Sequence, residues 1–148
     1  MEKMSRRMLL SAVGLLCCLA SCRQDVEKQV VSRYADNRPR MVREYVTVGD
    51  RQVLHKEIQY FPGEKKYIEK RFNESGNPDG VWMSWYENGN KNSQGTYRDG
   101  LWQGEYKVWY PNGKLFYSGF YDKGERVGQW KFYDSTGVLL RIEECGSR

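Results

Sequence analysis

One spacing constrains this chain more than any other: Gly80, Gly104 and Gly128 follow one another at intervals of 24 residues. Two positions after each stands Trp82, Tyr106 or Trp130, and five positions after each stands Trp85, Trp109 or Tyr133. Gly89, Gly113 and Gly137 keep the same interval, as do the pairs Gly95/Gly119, Tyr97/Tyr121 and Gly100/Gly124. The pattern continues upstream, where Tyr60, Pro62, Gly63 and Lys65 stand 26 residues before Tyr86, Asn88, Gly89 and Lys91. Tyr34, Asp36 and Asn37 precede Tyr60, Pro62 and Gly63 by the same 26. Five repeats result, centred near residues 36, 62, 88, 112 and 136. A period of this length marks an array whose units bury their apolar groups only against their neighbours.

The content of each unit is β-like. Trp82 to Tyr86 and Tyr106 to Tyr110 are rich in aromatic residues, which suit a pleated and half-buried surface. Asn88-Gly89 and Asn112-Gly113 are hairpin signals, because Gly accepts positive φ. Pro111 presets φ for a type I turn closed by a Gly bulge. A second turn at Arg98, Asp99 and Gly100, echoed at Asp122, Lys123 and Gly124, returns the chain to the next unit. The expectation is an all-β fold: an elongated single antiparallel β-meander of about five β-hairpin repeats. Ten strands at ~4.8 Å spacing would extend roughly 43 Å. Trp82, Ser84 and Tyr86 should point to one face and Met83 and Trp85 to the other. Gly95 and Gly119 should let neighbouring rings lie across bare backbone. Val26, Val30 and Tyr34 have helical spacing, but the match of Tyr34 to Tyr60 favours a strand there.

The N-terminus reads differently. Lys3, Arg6 and Arg7 precede an apolar run from Met8 to Ala20, which is shorter than the ~20 residues a membrane-spanning helix needs. The run ends in Leu19, Ala20, Ser21 and Cys22. A leucine, two small residues and a cysteine resemble the lipobox of bacterial lipoproteins, which implies cleavage before Cys22 and lipidation of its thiol. Ser5, Arg6, Arg7, Met8 and Leu9 also resemble a twin-arginine signal, although basic leaders often contain such pairs. The expected organisation is a lipoprotein signal peptide at 1–21, a lipidated Cys22 and tether at 22–25, and a β-hairpin repeat domain at 26–148. Arg23 stands where inner-membrane retention would call for aspartate, so the outer membrane is favoured over the inner one in a cell envelope that has both.

Composition narrows the partners. Of 24 Lys/Arg and 19 Asp/Glu, the leader holds Lys3, Arg6, Arg7 and Glu2, which leaves the remainder at net +3. The excess lies in residues 23–71, with 12 basic and 8 acidic side chains. Nucleic acid is not expected as a partner in an envelope compartment. Beyond the leader and Cys22 only Cys145 remains, so no intramolecular disulfide is expected.

The Gly80–Gly137 spacing resembles MORN-type repeats in their bacterial variant form, a group that includes the YwqK-type antitoxin family. The resemblance implies the hairpin fold. For function it implies contact with a protein, either a neutralised toxin or a scaffolded partner, since eukaryotic MORN proteins resemble scaffolds linked to membrane lipids.

Catalytic constellations are not apparent in the sequence. His55 is the only histidine, which leaves no multi-histidine zinc site, and the glycines follow the hairpin period rather than phosphate-loop spacing. Glu143 and Glu144 should point to opposite faces of a strand, while Asp99 and Asp122 fit turn chemistry. The reading is a non-catalytic, membrane-anchored protein-binding or scaffolding module, with no cofactor or metal. The competing reading is a binder of cell-wall or surface glycan through exposed rings. The candidate contact residues are Trp85 and Trp109, together with Trp102, which falls in an inter-repeat turn and lacks an aromatic counterpart at Pro78 or Arg126.

Overall fold

The computed structural model describes residues 25–146. The leader and Cys22 lie outside the described residues, and of the tether only Asp25 falls within them. Among the described residues eleven strands form one antiparallel sheet: β1 (Val26–Arg33), β2 (Pro39–Val48), β3 (Arg51–Tyr60), β4 (Lys66–Arg71), β5 (Gly80–Trp85), β6 (Lys91–Arg98), β7 (Leu101–Trp102), β8 (Gly104–Trp109), β9 (Leu115–Asp122), β10 (Glu125–Tyr133) and β11 (Leu139–Cys145). Ten lie side by side in chain order, and β7 pairs with β6 beside that path. The all-β meander of hairpin repeats is thus the observed fold, and Val26–Arg33 is a strand rather than a helix.

The leading glycine series has a backbone reason. Gly80, Gly104 and Gly128 adopt φ of 91°, 83° and 63°. At Gly104 this left-handed step, tolerated best by glycine, separates β7 from β8. In β10 the equivalent step makes the pairing with β9 jump between Val127 and Lys131. Each is an irregularity that adds local bend and twist.

Along one margin lie the five expected turns. In four of them the amide of a left-handed residue, Asn37, Gly89, Gly113 or Gly137, donates to the carbonyl three residues back, that of Tyr34, Tyr86, Tyr110 or Asp134. That is a type I turn with a Gly-type bulge, as Pro111 suggested. The fifth differs. Phe61-Pro62-Gly63-Glu64 carries positive φ at both Gly63 (95°) and Glu64 (69°), and Phe61 closes it onto Lys65. The structural counterpart of Tyr86 is therefore Phe61, and Tyr60 aligns with Trp85, one residue away from the match drawn on sequence. On the other margin Asp99-Gly100 and Lys123-Gly124 are two-residue turns with positive φ at both positions, the type I′ geometry that follows strand twist.

Neighbouring units are fastened at their margins. Tyr34 Oη donates to Tyr60 O (2.7 Å), Tyr86 Oη to Trp109 O (2.8 Å) and Tyr110 Oη to Tyr133 O (3.0 Å). The Asn88 amide donates to Pro111 O and the Asn112 amide to Ser135 O, each at 2.7 Å. These bonds satisfy turn carbonyls that would otherwise depend on water, and they tie each hairpin to the next.

Candidate functional site

Cross-strand register and the two-residue side-chain period sort the strand residues onto two faces. One, here the ladder face, carries Trp82, Tyr97, Trp102, Tyr106, Tyr117, Tyr121, Trp130 and Phe132. Their rings form an unbroken chain. Tyr97 stacks on Trp102 at 3.7 Å between centroids, Trp102 meets Tyr106 edge-on at 5.0 Å, and Tyr121 meets Trp130 edge-on at 5.1 Å. Gly95 lies beneath Tyr106 and Trp102, where a Cβ would come within 2.5 and 2.6 Å of ring carbons, and Gly119 lies beneath Trp130. The expected seating of rings on bare backbone is thus present. Trp130 is 2% exposed, the most buried large side chain described.

Both ends of the ladder are capped by charge. Lys70 lies over Trp82, and Arg126 lies 4.0 Å from the Trp130 ring centroid. Glu143 stands opposite Trp130 at the position equivalent to Gly95 and Gly119, held by Arg126 and Arg141. Within the ladder, burial and the neighbouring Tyr106 and Tyr121 push the Tyr117 hydroxyl up to about 12, so it is a neutral donor at ordinary pH.

The N-terminal strands use ion pairs where the C-terminal strands use rings. Glu57, buried on the ladder face, bonds Arg43 (2.9 Å) and Gln59 (3.1 Å) and lies 3.7 Å from Lys70. Glu44, buried on the opposite face, is bracketed by Lys28 (3.2 Å) and Lys56 (3.0 Å). Burial works to raise both carboxyls. Bonds from Lys56 and Lys28 to Glu44, and from Gln59 and Arg43 to Glu57, outweigh it and hold both below the usual carboxylate range.

The second face, here the open face, has a different character. Among the described residues, every exposed large apolar side chain with a regular strand register projects from it: Val26, Val30, Val81, Leu101, Phe120, Leu139 and Ile142. Phe120 is 53% exposed and Ile142 46%. Across the same face runs a second series of aromatic residues. The pairs Tyr60–Lys66, Trp85–Lys91, Trp109–Leu115 and Tyr133–Leu139 place an aromatic residue on every second strand. The Lys66 amine lies 5.7 Å from the Trp85 centroid and the Lys91 amine 5.6 Å from that of Trp109. Shallow hollows of about 240 Å³ beside Tyr60 and about 210 Å³ beside Trp85 flank the row.

The three tryptophans singled out from sequence therefore separate. Trp85 and Trp109 share the open face, half-buried, in one row. Trp102 belongs to the ladder, packed between Tyr97 and Tyr106 rather than standing free in a turn. Cys22 lies outside the described residues. Tyr60 and Tyr133, with Lys66 and Lys91, were missed, because aligning Tyr60 with Tyr86 concealed its kinship to Trp85. Aligning the first residue of each turn would have found it.

Glu143 and Glu144 face opposite ways, paired with Trp130 and Gln129 respectively, and Asp99 occupies a turn at φ 49°. Among the described residues no group of three or more His, Cys, Asp or Glu side chains converges as a metal site would require.

Comparison with known proteins agrees with this geometry. No curated protein matches the chain. Three segments, residues 78–99, 102–123 and 126–144, match the family model of the MORN repeat variant, and their starts keep the 24-residue period. The two upstream units share the sheet but lie outside those matches. Over residues 78–144 this chain is similar to the MORN repeat variant.

Proposed function

We propose that this chain is a non-catalytic binding or scaffolding module, displayed from a cell-envelope membrane by a lipid on Cys22, and that it holds a protein partner on its open face. The observation that carries this reading is the asymmetry of the sheet. From β5 to β10 one face is covered by its own rings, while the other exposes Val81, Leu101 and Phe120 over the same strands beside a half-buried aromatic row. Large apolar side chains left exposed on one face, where the other face buries its own, are a mark of an interaction surface. An antitoxin- or immunity-like role is a particular case of the same reading, in which the partner is a toxin met in the envelope.

The test is in-situ crosslinking of the tagged full-length protein in its native membrane, followed by mass spectrometry, with Cys22→Ala as control. The expected outcome is a stoichiometric protein partner that depends on Cys22. Retention on purified envelope polysaccharide with no protein partner would replace this reading with the glycan one.

A further inference from the structure

The aromatic row on the open face has a period of its own. Tyr60, Trp85, Trp109 and Tyr133 occupy β3, β5, β8 and β10, which are alternate strands along the sheet. At ~4.8 Å between strands the aromatic positions recur about every 9.6 Å. Lys66 on β4 and Lys91 on β6 fall midway between successive rings, exposed and with their amines turned toward the indoles. The first two intervals of the row thus set a cation at half the period, and the third holds Leu115.

We infer that this row docks an extended, proline-rich segment bearing carboxylates, bound as a polyproline II helix; the inference rests on the binding-module reading above. A polyproline II helix has three residues per turn at ~3.1 Å each, so one edge repeats about every 9.3 Å, close to the ring spacing. A β-strand laid across the sheet repeats after two residues, about every 6.8 Å, and would fall out of step by the second ring. Prolines stack on exposed Trp and Tyr at little cost in chain entropy, because the helix is already formed in solution. Among the described residues the Lys91 amine is held only by the neutral Gln94 Oε1 (3.1 Å), so a carboxylate entering between two prolines draws it off the Trp109 indole, whereas at Lys66 the ligand shares a cation already paired with Glu69 (2.7 Å). Adjacent strands rotate by roughly 20–25°, so the row winds, and a straight ligand engages two or three rings with Trp85 and Trp109 at its centre. A second copy of this chain does not supply such a segment, since Pro39, Pro62, Pro78 and Pro111 stand singly in its sequence.

The experiment measures binding of labelled peptides to the full-length protein by fluorescence anisotropy. The probes are four Pro-Pro-Glu triplets, four Pro-Pro-Lys triplets and four Gly-Ser-Glu triplets. The first should bind at least roughly tenfold tighter than either control. Lys66 and Lys91 are exposed, so the Lys66→Glu/Lys91→Glu variant should keep the wild-type circular dichroism and shift its preference to the Pro-Pro-Lys peptide. Trp109→Ala should weaken the Pro-Pro-Glu complex at least roughly tenfold while a Trp102→Phe control leaves it unchanged. Equal affinity for Gly-Ser-Glu, no binding of Pro-Pro-Glu, or displacement by an acidic hexasaccharide would each overturn the inference. A crosslinked partner that persists in the Lys66→Glu/Lys91→Glu protein removes the row and leaves the module reading intact. Loss of every protein partner removes both.

Discussion

At Gly119 a single absent carbon lets the Trp130 indole lie against the strand, because a Cβ there would overlap the ring. The ring cannot retreat without uncovering Tyr117 and Tyr121, which pack against it. Gly119→Ala should therefore cost ~1–3 kcal/mol as overpacking, read as a lower midpoint in urea denaturation. The buried carboxylates make a different prediction. Glu44 and Glu57 titrate below their ordinary value of 4.5 in the folded chain. Their stabilisation is then fully present above the unfolded pKa and is lost as pH falls through the depressed folded value. Urea midpoints should be flat from neutral pH down to about 5 and fall below about 4.5. Glu44→Gln should be less stable at neutral pH and show a shallower acid limb. An unchanged acid limb in that variant would remove Glu44 from the account.

Turns are where individual elements can be tuned. Lys123 holds φ 50° in the first central position of a type I′ turn, where Asn is far better tolerated. Lys123→Asn should raise stability by about 0.5 kcal/mol, visible as a small rise in thermal midpoint. The same elements show how far the sequence can be read. Strand existence, hairpin centres and the ring seats at Gly95 and Gly119 followed from the 24-residue period, because glycine and aromatic positions are the ones the sheet geometry dictates. The register at Tyr60 did not follow. Pro62-Gly63 mimics Asn88-Gly89 in sequence, yet it builds a turn with two left-handed residues and moves the closing position to Phe61. Trp102 was misplaced for a related reason: Leu101–Trp102 is the first part of a strand broken at Gly104, and so short a piece looks like turn. The division of labour between the faces was hidden as well. Alternation assigns residues to faces, but only the packed rings show which face covers itself.

Across the whole molecule stability passes from neighbour to neighbour, since the backbone of each strand pairs only with the strands beside it. Cooperativity should be highest where margin bonds, ring contacts and glycine seats coincide, in β8 to β10. Amide hydrogen exchange should be slowest there and fastest in β1 and β11, which have one neighbour each. Uniform protection across all ten strands of the path would contradict this nearest-neighbour picture. Glu143 bears on the same architecture in another way. It fills the place where a further unit would have to seat its ring, and its charge is already engaged by Arg126 and Arg141. A unit appended after Cys145 would meet a carboxylate instead of bare backbone. A unit duplicated inside residues 78–144 would find its glycine seats ready on both sides and would lengthen the open-face row by one aromatic position. The strand Leu139–Cys145 thus offers a charged position where the two preceding units offer a bare one, and the glycine seats, not the length of the sheet, decide where one more ring can be accommodated.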